Sequence, residues 1–409
     1  MPVSARRTPP LVALFTAGYL APYLLPTTVG RLNSGLPLTT TQAGAIGSAL
    51  LLSSAAAGFL LASRVERIGA RTLARAGLAL AFLGYGGAAL TGVVPAVVAG
   101  AVVGGFGSGT ITAVAASGIA AQRDPHRVTT LGLLGVSALA GALYLTIPHL
   151  GAGHGLPPAA IALTALAVWP LTGRLSGRTA PARTSAPGYG RLPHLRAGLL
   201  LAAAMPCWSL VQNSLWGVSG RIGLAQAHLS EVTVGAVFAV ALGVGLLGVL
   251  GAGVLGQRLG RALPIGAGTA LIAGCVALSA SARDLPSFAA GEISWNLLYP
   301  VVLSYVLGLA ASLDPRGRWA VLVGSASSLG TAAGPLTGSV LASGVGFPVM
   351  GELLAAGLLL IAVPMTAVAL RTGRRPLPVV ELPVETPAVP AQRAYDTASP
   401  NSYASTSAR

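Results

Sequence analysis

The chain has 409 residues, 53% of them hydrophobic, and only 9% are Asp, Glu, Lys or Arg. A soluble protein carries about 25% charged residues, so a globule of this length could not cover its surface with polar groups, and much of that surface must face lipid. The net charge of +15 would point to nucleic acid in a soluble protein, but all 25 basic residues are Arg and sit mainly in short loops between apolar runs, so a bilayer is the expected partner and nucleic acid is not.

The start, MPVSARRTPP, is basic and leads into an apolar run longer than a usual signal-peptide core, which reads as a first membrane span. A span needs about 20 mostly apolar residues at 1.5 Å of rise each. Twelve candidates follow in chain order: 11–31, 42–63, 73–93, 96–120, 128–149, 157–173, 197–218, 232–256, 263–281, 285–311, 319–342 and 349–371. Gly and Pro within these runs are tolerated in membrane helices, and small residues allow close helix packing. The two cysteines, Cys207 and Cys275, lie inside apolar runs and form no redox or metal motif.

Charge placement tests the count. With both termini cytoplasmic, 22 Arg residues fall in inside segments and three, Arg31, Arg221 and Arg283, fall outside. Positive charge belongs on the cytoplasmic side. The expected organisation is therefore a cytoplasmic N-terminus (1–10), a six-span bundle (11–173), a basic Pro/Gly/Ser-rich linker (174–196), a second six-span bundle (197–371) and a disordered tail (372–409). The location expected is the cytoplasmic membrane, with the protein a monomer.

After the second span stands ASRVERIGAR (62–71), and after the eighth GVLGQRLGRA (253–262). Arg67 and Gly69 map to Arg258 and Gly260 with one offset of 191 residues, which indicates parallel repeats. The glycines permit tight turns, and the Arg residues can bond helix C-terminal carbonyls. Both segments resemble the cytoplasmic signature of the major facilitator superfamily, a Gly, three residues, then Asp-Arg-x-Gly-Arg-Arg. They depart from it at Glu66 and Gln257, in the acidic position, and at Ala62 in place of the leading Gly. The resemblance implies an all-α membrane fold of two six-helix bundles and transport by alternating access. It also implies that Glu66, Arg67, Gly69 and Arg71, with Arg258, Gly260 and Arg261, form a cytoplasmic gate.

The eleventh span carries GTAAGPLTG, whose Gly334 and Pro335 resemble the superfamily's helix-bending element; Pro removes a backbone hydrogen bond and kinks a helix. The fifth span lacks such an element, and Ala101 stands where the fourth span of many antiporters in the family has Arg.

The resemblance lines a central cavity with the first, fourth, seventh and tenth spans. The residues support this separately. Glu292, Trp295, Asn296 and Tyr299 fall on one face of the tenth span. Trp208, Gln212 and Trp216 fall on one face of the seventh with Asn213 beside them, and Tyr19 stacks on Tyr23 in the first. These are the expected substrate contacts, and Trp216 could equally be an interfacial anchor. A carboxyl within a span is expensive, and such residues commonly relay protons, so Glu292 is the candidate proton-coupling group. Glu231 reads as a helix-start charge, Glu352 as interfacial, and Asp314 as a turn cap or a partner of Arg316 and Arg318. His149 and His154 lack partner carboxylates, and no metal or other cofactor is expected.

With no Arg or Lys in that cavity, aromatic faces and one carboxyl suit a neutral or cationic amphiphile. The expected function is proton-coupled export of such a small molecule; uptake of a neutral nutrient by proton symport is the alternative. No nucleotide loop, catalytic triad or sizeable soluble domain is present, so an enzyme is not expected.

Overall fold

The computed structural model describes residues 8–175, 192–255, 259–314 and 317–373. Among these there are thirteen α-helices and no strand. They are α1 (Thr8–Tyr23), α2 (Leu25–Gly35), α3 (Thr40–Leu61), α4 (Val65–Ile68), α5 (Ala70–Leu90), α6 (Val94–Ala120), α7 (Pro125–Thr146) and α8 (Leu156–Val168). After the linker come α9 (Leu195–Arg221), α10 (Glu231–Leu255), α11 (Ala262–Ala280), α12 (Leu285–Ser312) and α13 (Arg318–Gly373). The linker residues 176–191 and the tail beyond 373 lie outside the described residues, as do Gln257, Arg258 and Arg316.

Ten of the described helices or joined helices are long and apolar enough to cross a membrane, and α1 with α2 makes an eleventh when counted as one bent span. Set against the twelve spans read from the sequence, the described helices differ in form at two places. The first span is broken: α1 and α2 meet at a 47° bend. The cause is Pro26, which has no N–H to offer the carbonyl four residues before it. The last two spans follow one another within α13 with almost no loop, divided into two helices by a non-helical backbone at Gly346 (φ 81°, ψ 165°). A straight helix of that length would extend over about 80 Å, against roughly 30 Å of hydrocarbon. Gly346, whose positive φ suits a residue without a side chain, supplies the kink at which two helices join.

Close packing depends on rows of small residues. Gly330, Gly334 and Gly338 are spaced by four along α13, so they form one face. A side-chain carbon at each would collide with Pro206, Asn213 and Ser214 of α9 respectively. Gly84, Gly100 and Gly104 do the same between α5 and α6. The Gly-Pro element of the eleventh span is therefore also a packing surface. Pro335 itself lies against Gly217 of α9.

The loops after the second and eighth spans turn at Gly69 (φ 100°) and Gly260 (φ 65°). Both repeats of the sequence motif thus put Gly where the backbone takes a left-handed conformation.

Candidate functional site

Helices α9 and α12 lie against each other through aromatic rings. Trp208 stacks on Tyr299 with ring centroids 5.2 Å apart, and Tyr299 continues to Trp295 at 5.7 Å. Trp295 meets Trp216 at 5.6 Å, and Trp216 meets Phe238 of α10 edge-on at 5.2 Å. The Trp295 indole donates to the Gln212 side-chain oxygen. The i, i+4 spacing of 208, 212 and 216 and the i, i+4 spacing of 295 and 299 therefore bring these predicted residues into one cluster. Trp208 and Gln212 are buried, and among the described residues the Trp208 indole nitrogen and the Gln212 amide nitrogen have no hydrogen-bond partner.

Asn213 and Asn296 sit at the edge of this cluster. Asn213 donates to the Ser209 carbonyl at 2.9 Å and to Thr331 of α13 at 3.3 Å; Asn296 donates to the Glu292 carbonyl at 3.0 Å. On the first span, Tyr19 stacks on Phe15 at 4.5 Å and is 36% exposed. On the same span, the Pro22 carbonyl accepts from the Trp216 indole of α9 at 3.0 Å, so α1 meets the second set of spans beside this cluster.

Glu292 is fully buried, about two turns from the start of α12. Its Oε1 accepts from Ser219 of α9 at 2.8 Å and from Ser279 of α11 at 2.5 Å, while Oε2 has no partner among the described residues. The carboxyl is thus held among three helices of the second set, although Trp295 and Tyr299 follow it on the same face. The sequence reading missed both serines, because a lone Ser in an apolar run carries no signal of its own.

In the gate motif, Arg71 donates to the carbonyls of Gly173 (2.9 Å) and Leu175 (2.6 Å), and Arg75 donates to Thr172 at 3.1 Å. These bonds cover the end of the sixth span and stay within the first set. Arg67 is exposed and Glu66 half-buried. Arg261 donates to Ser312 at 2.6 Å, whereas Arg258 lies outside the described residues. Asp314 pairs with Arg318 at 2.6 Å.

At the opposite end of the bundle the two sets meet directly. Arg31, 4% exposed, forms an ion pair with Glu231 at 2.7 Å and donates to the carbonyls of Gly153 and Ile147. Trp216 donates its indole N–H to the Pro22 carbonyl at 3.0 Å. The Ser48 hydroxyl accepts from the Leu336 amide at 2.9 Å, and Thr41 shares a hydrogen bond with Ser343. The Arg31–Glu231 pair was not foreseen. The available signal was that both are isolated charges of opposite sign on the side where charge is scarce.

No family model matches the chain, and no curated protein matches it. Solved structures do. The human organic anion transporter MFSD10 (TETRAN) aligns with a TM-score of 0.65 at 17% identity, over 89% of this chain and 100% of that one. An auto-inhibited POT family peptide transporter aligns with a TM-score of 0.69 at 16% identity, over 91% and 99%. A bacterial homologue of the human lysosomal transporter Spinster, solved in an inward-facing and unoccupied conformation, aligns at 0.63 and 14% identity, over 91% and 96%. The chain therefore has the fold of the major facilitator superfamily.

Proposed function

We propose that the chain is a secondary active carrier that moves a small molecule across a membrane by alternating access. In this reading it exports a neutral or cationic amphiphile in exchange for protons, and Glu292 is the proton-coupling group. Support for carriage comes from a fold shared over about nine-tenths of the chain with transporters of peptides and organic anions. On charge placement the Arg-poor Arg31 end is read as the outer one, and because the two sets touch there, this reading takes the conformation as closed to the outside.

The substrate reading rests on the cluster of Trp208, Gln212, Asn213, Trp295, Asn296 and Tyr299, to which it adds Tyr19 and Tyr23 of α1, the helix that Trp216 meets at Pro22. Its rings offer flat faces for stacking or cation–π contact. The gate reading rests on Gly69 and Gly260, where the turns after the second and eighth spans bring Glu66, Arg67, Arg71 and Arg261 to the inner end.

The observation that carries the proton role is a completely buried carboxyl with one oxygen held by two hydroxyls and the other unpartnered. Such a group can exchange a proton without any other charge moving with it. The test uses the full chain in proteoliposomes with a pH-sensitive dye inside and candidate amphiphiles outside. Wild type should couple substrate flux to proton flux, and Glu292→Gln should fold normally yet lose pH-dependent flux. Unaltered pH dependence in that variant rejects the role. Proton movement in the same direction as substrate would identify uptake symport in place of export.

A further inference from the structure

The proline break in the first span leaves backbone acceptors that the rest of the molecule uses. In a helix, the Pro22 carbonyl would accept from the amide four residues on, but that residue is Pro26, which has no N–H. A buried carbonyl without a donor is costly. The donor comes from the second set of spans, as the indole of Trp216. The neighbouring Tyr23 carbonyl accepts instead from the Tyr144 hydroxyl at 2.7 Å, within the first set. Eight residues after Tyr23, Arg31 reaches Glu231 of α10 across the same seam. Between these two bridges lies a cavity of about 90 Å³ lined by Pro26, Arg31, Tyr144, Glu231 and Phe238, roomy enough for several waters.

We propose that Trp216 and Arg31 together form the outward lock of the carrier, with the Pro22 carbonyl released by Pro26 as the keyhole. The inference rests on the alternating-access reading above. Trp216 also touches Trp295 of the aromatic cluster, so the same side chain joins the candidate substrate site to the lock. A ligand that displaces Trp295 would draw the indole off Pro22, and the ion pair, already beside a cavity with room for water, would then separate.

The test measures the opening of this end by spin-label distances between Leu150 and Arg283, both exposed and on different sets, in the full chain with Cys207 and Cys275 replaced by Ala. No substrate or proton gradient is present. Trp216→Phe keeps a ring and removes the N–H, and should raise the ratio of open to closed distances about fivefold. Pro26→Ala restores an amide that can satisfy Pro22 within the helix, and should open the end to a similar extent. The two together should do no more than either alone, because both remove one bond. Arg31→Gln should open the end as well, with Glu231→Gln adding nothing to it. Tyr144→Phe should leave the distances unchanged, because its bond stays within one set. Unchanged distances in Trp216→Phe and Arg31→Gln, or multiplying effects of Trp216→Phe and Pro26→Ala, overturn the lock. So does opening by Tyr144→Phe. Because proton flux is not measured, a failed lock leaves the Glu292 role standing, and a failed Glu292 assay does not alter these distances.

Discussion

Ser279 donates to the same Glu292 oxygen that Ser219 does, at 2.5 Å against 2.8 Å, from two different helices. The arrangement concentrates both donors on one side of the carboxyl and leaves the other oxygen bare. A buried polar group that loses its partners costs about 1–3 kcal/mol, more when it is charged. Ser219→Ala and Ser279→Ala should each lower stability, and the double variant should lower it further. Glu292→Leu added to the double variant should recover most of the loss, since a buried charge without partners is worse than an apolar group of similar size. Thermal unfolding in detergent checks this, and a triple variant no more stable than the double would refute it.

Arg71 reaches two carbonyls at the end of the sixth span with one guanidinium. Hydrogen bonds from charged donors contribute about 1.5–3 kcal/mol, so Arg71→Ala should destabilise the first set by roughly that amount. Lys presents a single point of charge and not a planar fork, so Arg71→Lys should recover little. The measurement is the unfolding midpoint of the purified protein for wild type and both variants. Full recovery by Lys would mean that charge placement alone matters there.

Much of this fold was legible because a membrane span is a long, uniform signal. The apolar runs, the alternation of Arg-rich and Arg-poor loops and the paired Gly69 and Gly260 turns could all be read residue by residue. The aromatic cluster was legible too, because helical spacing alone puts Trp208, Gln212 and Trp216 on one face. The bends were harder. Pro22 and Pro26 were visible in the first span, and Pro26 alone says that the carbonyl four residues before it is freed, but which side chain answers it depends on a helix almost 200 residues later. The same holds for Arg31 and Glu231, whose pairing is a property of two bundles meeting. Glu292 was readable as a buried carboxyl, whereas its orientation toward Ser219 and Ser279 was not.

Gly330 and Pro206 define how closely α13 and α9 can approach, since a side-chain carbon on Gly330 would run into the Pro206 carbonyl. Backbone cannot move aside as a flexible side chain can, so Gly330→Ala should cost about 1–3 kcal/mol by overpacking. Gly324, with open space around the position of a Cβ, supplies the control: Gly324→Ala on the same helix should hold or slightly raise stability. Paired melting curves of the two variants check this. Equal losses at both positions would point to helix flexibility, and not close approach, as what Gly330 provides.

Asp284 caps α12: its Oδ1 accepts from the Ser287 amide at 2.9 Å and from the Ser287 hydroxyl at 2.5 Å. Those bonds favour the charged form and hold the carboxyl below its ordinary value of 3.8. A carboxyl held low in the folded state contributes its stability above the unfolded value and loses it as pH falls through the folded one. Asp284→Ala should therefore lower the melting temperature by a constant amount near neutral pH, with the gap closing as pH falls below the ordinary carboxyl value of 3.8 and the wild-type cap is protonated. Asp284→Asn keeps a side-chain oxygen that can cap without a charge, so its melting curve should lie nearer wild type and track the Ala variant's pH dependence. The decisive comparison is the wild-type minus Ala difference from neutral pH down to well below 3.8. A gap that stays open at the acid end would show that the cap owes nothing to the ionised carboxylate.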